Sequence, residues 1–454
     1  MENNIKPKKN YGYKRFLASQ TISMLGSEIV GFVLGVYLAQ EYGNAFYFAI
    51  SMILQFAPRV IIGPIAGVWA DKRDRKKIVI VSDLIQAIIT TILVALFNLN
   101  RFYSWAFWAN GEIMIIFGFI FLRSVFQAVQ SPSVSSILPS ITPIEKLSRL
   151  NGALQFASGV MGVIAPIIAT LLINIWEIYN LLWIDAVTFS IALVFIFTVS
   201  IPKRVKEEQK IIIQNQDRRF KKFLLELSEG ISVTKEFTGL SALLAVFIIA
   251  NILVTPINTL SELLILKVHE GSVANLMWVS ISFSAGMIAG SIISALKKSW
   301  KNFTITLFLG IIGLYIGLFF IGIAPPGFAW SMWMIIAGGF FTSFGIPIFS
   351  TIISTMIQLI IPIDKMGRFS GFATALISIL TPIGYLLTGL LAEITEIRYV
   401  IIGASIVAIM SMICIWSFSQ IDKLEPLAKE RLALRQFQHV EPSQSEISIN
   451  SRKE

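Results

Sequence analysis

The residues best suited to chemistry are five ionisable side chains that lie inside long apolar stretches, all in the first half of the chain. If these stretches cross a membrane, each charge at the bilayer centre costs about 2.5–3.5 kcal/mol on insertion scales. Each residue therefore needs a partner or a role in moving ions or substrate. The five residues are Glu28, Arg59, Asp83, Arg123 and Asp185.

Glu28 has the strongest claim to proton coupling or substrate binding. Burial in an apolar cavity penalises the charged carboxylate, so Glu28 can load and release a proton near neutral pH. The same carboxylate can counter the charge of a cationic compound. Because intramembrane ionisable residues are functional by default, we expect Glu28 to couple transport or to bind substrate.

Arg123 and Asp185 are expected at a depth similar to that of Glu28, between the middle and the outer end of their stretches. Two interpretations stay open for them. They form either a static buried ion pair that holds the first half together, or a proton- or cation-responsive site in which the state of Asp185 depends on Arg123. Arg59 and Asp83 lie towards the other end of consecutive stretches and are expected to pair near a gate.

Twelve apolar stretches carry these residues. Of the 454 residues, 55% are hydrophobic and 14% are charged, against about 25% charged residues in an ordinary soluble protein. A helix needs roughly 20 apolar residues to cross a bilayer. This composition excludes a soluble enzyme, a disordered chain and a β-barrel, and it predicts an all-α, polytopic membrane protein. The stretches lie at about 16–39, 44–66, 78–98, 112–138, 151–174, 178–200, 239–264, 273–296, 303–324, 329–361, 369–392 and 398–419.

The Lys and Arg residues indicate the orientation. Nearly all of them lie in the terminal segments and in every second connection, whereas the other connections hold only Arg101, Lys267 and Arg398. By the positive-inside rule, both termini are cytoplasmic. We therefore expect a multi-pass protein of the plasma membrane.

The longest connection divides the chain into two halves. The predicted domains are a six-helix bundle at 1–200, a cytoplasmic linker at 201–238, a second six-helix bundle at 239–419 and a cytoplasmic tail at 420–454. Within the linker we expect a short amphipathic helix, which either lies on the inner leaflet or is a solvated connector.

An internal repeat relates the two halves. Segment 143–152 begins with PIEK and segment 362–371 begins with PIDK, and each closes the fourth stretch of its half. A duplicated six-helix unit predicts this repeat. Two such halves around a site at the membrane midplane are the arrangement of many transporters.

Polar side chains at helical spacing indicate a central cavity. They recur on the first, fourth, seventh and tenth stretches, as a pore-lining set would. The alternative is that they form hydrogen bonds between helices, worth about 0.6 kcal/mol on average. The predicted cavity-lining residues are Gln20, Ser23, Gln127, Gln130, Asn251, Thr255, Asn258, Ser354 and Gln358.

The loop between the second and third stretches carries a motif with glycine, acidic and basic residues at regular intervals. Its members are Gly67, Asp71, Arg75, Lys76 and Lys77. The loop resembles the signature loop of the major facilitator superfamily. The following Asp83 and the segment RSVFQAVQSP at 123–132 are similar, more narrowly, to the macrolide-efflux branch of the drug:proton antiporters. The resemblance covers essentially the whole chain.

The resemblance implies twelve transmembrane helices in two pseudo-symmetric six-helix bundles, and it assigns the loop to a gate. Gly67 permits close approach of a neighbouring backbone, and Asp71 faces the positive end of the eleventh helix. By resemblance, Asp83 is the carboxylate that Arg75 binds. Such a cluster locks the halves together when the cavity opens outward. The alternative is that the loop is a simple positive-inside anchor.

The favoured function is secondary active efflux of hydrophobic or amphipathic compounds, such as macrolide-like drugs, by proton antiport with alternating access. The chain has no phosphate-cradling loop (GxxxxGK followed by Ser or Thr), so ATP does not drive transport directly. No cofactor is expected, and the proton gradient is the energy source. The alternatives are a siderophore exporter or a lysophospholipid transporter on the same scaffold, and a non-transporting membrane sensor.

A membrane-embedded enzyme is not expected. His269 and His439 lie outside the apolar stretches and Cys414 is the single cysteine, so neither a catalytic constellation nor a metal cluster is predicted. The expected partners are a small hydrophobic or amphipathic substrate, protons and the lipid bilayer, with no nucleic acid. The protein is expected to be a monomer.

Overall fold

The chain folds into long helices, as a computed structural model shows, and no strand occurs among the residues that the structure describes. The helix predicted within 201–238 and most of the tail fall outside those residues. The described residues are 12–72, 74–103, 106–141, 147–173, 175–199, 232–234, 236–237, 239–297, 302–418, 424–427 and 429–430.

The first half consists of six main helices. Helix α6 is the shortest of them, and a helical turn at Ile178–Leu181 precedes it. The helices are α1 (Gly12–Glu41), α2 (Ala45–Lys72), α3 (Arg75–Tyr103), α4 (Ala106–Ile141), α5 (Leu147–Ile173) and α6 (Trp183–Phe197).

The second half repeats this arrangement with six further helices. Helix α7 has two α-helical parts and ends in a π-helical turn, whereas the others are continuous. The helices are α7 (Leu240–Leu253, Thr255–Leu263 and Leu264–Val268), α8 (Val273–Leu296), α9 (Phe303–Ile323), α10 (Ala329–Ile360), α11 (Ile363–Ile394) and α12 (Ile397–Phe418).

Most of these helices have the length and the apolar composition that a membrane-spanning helix needs. Ten helical segments among the described residues are long and apolar enough to cross a bilayer. Shorter apolar segments lie in α5, at Gly159–Ile173, and in α6. The predicted fold, all-α with twelve membrane helices in two six-helix bundles, is confirmed.

Consecutive helices run in opposite directions, so the helix ends form two faces. We call the face where α1 begins and α12 ends the terminal face, and the other the opposite face. On the terminal face, Lys76 Nζ at the start of α3 donates to Val199 O after α6 (2.6 Å). On the opposite face, Lys267 Nζ at the end of α7 donates to Gln40 O near the end of α1 (3.0 Å).

Helix α7 is interrupted at Val254 because Pro256 follows it. Proline has no amide proton to donate and its ring crowds the carbonyl four residues earlier, which here belongs to Ile252. Thr255 Oγ1 donates to this carbonyl oxygen instead (2.6 Å). The break therefore leaves no unsatisfied group at Ile252, as a membrane interior requires.

Several helix pairs join the two halves among the described residues, including α2 with α7. Helix α2 packs against α11, where a Cβ on Gly389 would overlap Ala49. Helix α5 packs against α8, where a Cβ on Gly162 would lie 2.6 Å from Ser284 Oγ. Helix α1 meets α7 near the opposite face. These contacts set α1, α2 and α5 of the first half against α7, α8 and α11 of the second.

Candidate functional site

A buried ion pair lies at the centre of the first half. Arg123 Nη2 on α4 is 3.0 Å from Asp185 Oδ1 on α6, and the Asp185 side chain is fully buried. Arg123 Nη2 also donates to Ser27 Oγ on α1 (2.8 Å), and its guanidinium lies 5.7 Å from the centre of the Phe189 ring. Three helices thus meet at one guanidinium. The structure brings together the two residues that the sequence placed at similar depths.

Hydrogen bonds extend this pair towards the terminal face. Thr90 Oγ1 lies 3.0 Å from Asp185 Oδ2. The Thr90 hydroxyl also lies 3.0 Å from the carbonyl oxygen of Gln86. Gln86 Nε2 donates to Gln130 Oε1 (3.1 Å), and Gln130 Nε2 donates to Asp83 Oδ1 (2.8 Å). Both carboxylates therefore belong to one buried polar network on α3, α4 and α6.

Glu28 lies beside this network with its side chain exposed. It is close enough to Arg123 for their charges to attract, and it makes no hydrogen bond or ion pair with the described residues. Gly31, one turn further along α1, has open space where a Cβ would be, and Gly35 on the same face meets α7 of the second half. Glu28 therefore lies on the face of α1 that turns towards α7 of the second half.

Arg59 does not pair with Asp83 as expected. Arg59 Nη2 donates instead to Gln127 Oε1 on α4 (2.8 Å), and its guanidinium lies 5.5 Å from the Phe56 ring centre. Phe56 in turn packs against Tyr385 of α11, with 5.3 Å between ring centres. The reason is rotation about the helix axis: Arg59 points towards the second half, whereas Asp83 points into the α3–α4 contact.

The gate predicted at the signature loop is only partly described. Gly67 and Asp71 lie in the last turns of α2, but their side-chain surroundings fall outside the described residues. Arg75 Nη1 donates to Ser136 O (3.4 Å). Asp83 accepts from Gln130 and not from Arg75, because two turns of α3 separate the two side chains.

Among the predicted cavity residues, three are buried in contacts between helices. Gln130 and Ser23 are buried within the first half. Thr255 is buried against Thr388 of α11, with 3.3 Å between their hydroxyl oxygens. Gln130 and Thr255 thus follow the alternative interpretation, since their side chains contact polar groups on neighbouring helices.

The other predicted cavity residues are at least partly accessible. Gln20 and Asn251 are half-buried. Asn251 Nδ2 donates to Phe247 O (2.7 Å), and Gln20 Nε2 has no hydrogen-bond partner that the structure describes. Exposed polar side chains occur on α4, α7 and α10, in helices that are otherwise apolar. They are Gln127, Asn258, Ser354 and Gln358.

The opposite face is closed where α1 meets α7. A Cβ on Gly35 would lie 3.3 Å from Glu262 Oε1, and Ser261 Oγ donates to Glu262 Oε2 (2.9 Å). Lys267, which binds Gln40 O, also covers Gly43, whose φ is +59°. Glycine is favoured at both positions, by close approach at Gly35 in α1 and by backbone conformation at Gly43 just after it.

His269, in the connection after α7, lies close to this closed face. The side chain is half-buried, and its Nε2 is buried with no hydrogen-bond partner in the described ranges. Burial, together with the positive charge of Arg398, lowers the pKa of His269. The imidazole is therefore neutral near pH 7.

Sequence reasoning missed Gln86 and Thr90, although the signal was present. Asp83, Gln86 and Thr90 follow each other at intervals of three and four residues, which places them on one face of a helix. The contact between Tyr37 Oη and Glu112 was also missed, because its partners lie on different helices. Among the described residues, no group of three or more His, Cys, Asp or Glu side chains is placed to hold a metal ion.

The sequence matches a family model. The model of the Major Facilitator Superfamily matches residues 16–331. Macrolide efflux protein A of Streptococcus pyogenes is 25% identical over 398 residues, which cover 87% of this chain and 93% of the relative.

Two further similarities are more distant. The staphyloferrin A transporter of Staphylococcus aureus is 26% identical over 182 residues, 39% of this chain and 43% of that protein. Among solved structures, a POT family transporter in complex with 5-aminolevulinic acid superposes with a TM-score of 0.65 at 14% identity, covering 91% of this chain and 97% of that one. The last similarity concerns the fold alone.

Proposed function

Since the chain belongs to the major facilitator superfamily, we propose that it exports hydrophobic or amphipathic compounds, such as macrolides, in exchange for protons. Its similarity to macrolide efflux protein A along most of both chains supports this cargo class. The proton-driven part of the proposal is supported by the side chains of the first half. We further propose that the transporter works as a monomer in the plasma membrane.

The observation that carries the proposal is the position of Glu28. An acid on a membrane helix, exposed to the space between two halves and attracted by a guanidinium, is accessible to both protons and a cationic cargo. Arg123 is held by Asp185 and Ser27, so its charge stays fixed beside Glu28. Protonation of Glu28 removes that attraction and changes the charge of the cavity by one unit.

Alternating access follows from these charges. The negatively charged Glu28 binds a cationic cargo, or the cationic end of an amphipathic one, while the opposite face is closed. The halves then rock, the contact of α1 with Glu262 and Lys267 opens, and a proton replaces the cargo on Glu28. The returning protonated transporter releases its proton on the terminal face, which we propose is cytoplasmic because nearly all Lys and Arg lie on that side.

The proposal is tested with purified protein in liposomes across an imposed pH gradient, with radiolabelled erythromycin as the probe. We expect gradient-driven accumulation by the wild type. Glu28→Gln should lose at least about tenfold in the initial rate, since general acid–base groups commonly contribute about 10²–10⁴-fold, and should unfold at the same temperature.

The matched control is Glu393→Gln, the same change at an exposed acid near the end of α11. This variant should transport like the wild type. Wild-type accumulation by Glu28→Gln would exclude the coupling role, and accumulation that ignores the gradient would exclude proton antiport.

Export of a siderophore is the second candidate. Partial similarity to the staphyloferrin A transporter supports it. Arg59, exposed on α2 near Tyr385 of the second half, offers a guanidinium to an anionic group. Efflux of a radiolabelled iron chelator that is lost in Arg59→Gln, with no movement of erythromycin, would favour this function.

A further inference from the structure

The carboxyl of Asp83 has no role in the cycle described above, although its surroundings are unusual. Asp83 is fully buried on α3. Its Oδ1 accepts a hydrogen bond from Gln130 (2.8 Å), and its Oδ2 is buried without a hydrogen-bond partner among the residues that the structure describes. A buried carboxylate needs a cation or several donors. One neutral amide donor does not meet that need.

Within the part of the chain that the structure describes, the ionisable groups around Asp83 do not supply the missing cation. Asp185, on α6, acts on Asp83 with a charge of the same sign. On α4, Arg123 is engaged with Asp185 and Ser27. Arg59, on α2, binds Gln127. Arg75, on α3 itself, donates to Ser136 O.

A row of polar groups, each within hydrogen-bond distance of the next, nevertheless links Asp83 to the ion pair. It runs from Asp83 through the side chains of Gln130 and Gln86 to the Thr90 hydroxyl, whose single proton is donated either to the backbone carbonyl of Gln86 or to Asp185. Ser82, Asp83, Gln86, Thr90 and Gln130 are all less than a tenth exposed. In such a medium of low dielectric constant, a change of charge at one carboxyl affects the other strongly.

We propose that Asp83 is a second proton-binding carboxyl of the transport cycle, in addition to Glu28. The proposal rests on the proton antiport proposed above. In the conformation described here, Asp83 holds a proton, because the neutral acid avoids the cost of a lone buried charge. Release transfers this proton to water that enters when the halves move, leaves a carboxylate, and changes no other bond.

The first test does not depend on the cargo. Infrared spectra of the full-length protein in lipid vesicles at pH 7 should contain the C=O stretching band of a protonated carboxyl. The band should be missing from Asp83→Asn. In Gln130→Leu, which removes the amide donor but keeps the carboxyl, the band should remain at a shifted frequency. This second variant decides the question if Asp83→Asn does not fold.

The second test measures how many protons are exchanged for each erythromycin molecule. It uses liposomes whose membrane potential is clamped at zero. At equilibrium, the ratio of erythromycin concentrations across the membrane changes about tenfold per pH unit of gradient for each proton exchanged per erythromycin molecule. We expect a hundredfold ratio per pH unit for the wild type and for Gln130→Leu. For Asp83→Asn we expect a ratio of about tenfold.

The outcomes separate this inference from the proposed function. A band that persists unshifted in both variants, or an equal proton count in the wild type and Asp83→Asn, overturns the role of Asp83 while antiport stands. A wild-type ratio independent of the pH gradient overturns antiport itself, and the second proton with it. Loss of the band together with a count that falls from two to one supports the proposal.

Discussion

The two halves of the molecule share one scaffold but are held together by different interactions. In the first half, α3, α4 and α6 meet through buried polar side chains, with the Arg123–Asp185 pair at the centre. In the second half, α8, α9 and α10 meet through glycines. A Cβ on Gly317 of α9 would lie 2.7 Å from Gly338 O of α10, and a Cβ on Gly290 of α8 would overlap Phe344 O.

This difference assigns different tasks to the halves. Close backbone packing is rigid and cannot change its protonation. A polar network costs more to bury, but its charges respond to their surroundings. In the proposed antiport, the first half is therefore the half that responds to protons and cargo.

The largest expected effect comes from breaking the ion pair. Arg123→Leu leaves Asp185 buried without its cation, which should lower the free energy of unfolding by about 3–5 kcal/mol. The double variant Arg123→Leu/Asp185→Leu should recover most of this loss, because no charge remains unpaired. Thermal unfolding in detergent at pH 7.5 measures both. An equally stable Arg123→Leu would show that the pair does not hold the first half together.

A smaller effect is expected from one methyl group in the second half. Gly317→Ala places a Cβ 2.6 Å from Thr342 N, and such overpacking should cost about 1–3 kcal/mol. Gly313→Ala on the same helix is the control, because a Cβ there meets nothing within 4 Å. The control should be neutral or slightly stabilising, since alanine is the better helix former. If both variants unfold at the same temperature, close glycine packing is not what stabilises this half.

The last prediction concerns a difference between two variants and makes the same change in both halves. Thr90→Val removes a hydroxyl beside the Asp185 carboxylate, and hydrogen bonds to charged groups are worth about 1.5–3 kcal/mol. Thr388→Val removes a hydroxyl 3.3 Å from that of Thr255. Hydrogen bonds of this second kind average about 0.6 kcal/mol between membrane helices.

Chemical unfolding of the two valine variants in parallel should therefore give the larger loss for Thr90→Val. Equal losses would contradict the view that charge distinguishes the first half.

The structure changed the interpretation of several residues in a consistent way. Gln127 and Gln130 lie three residues apart on α4, and the sequence assigned both to the cavity. Gln127 is exposed and binds Arg59, whereas Gln130 is buried and binds Asp83. A rotation of α4 by a fraction of a turn decides which of the two faces the cavity, and helical spacing alone does not fix that rotation.

The sequence by itself determined the twelve membrane helices and the restriction of the buried charges Asp83, Arg123 and Asp185 to the first half. Both follow from local properties, the length of apolar runs and the cost of a charge in lipid. Only the tertiary structure decided the partners: Asp185 for Arg123, Gln127 for Arg59, Gln130 for Asp83, and open space for Glu28. These pairings depend on how each helix is rotated against neighbours far away in the chain, and that rotation is set by the packing of all the helices together.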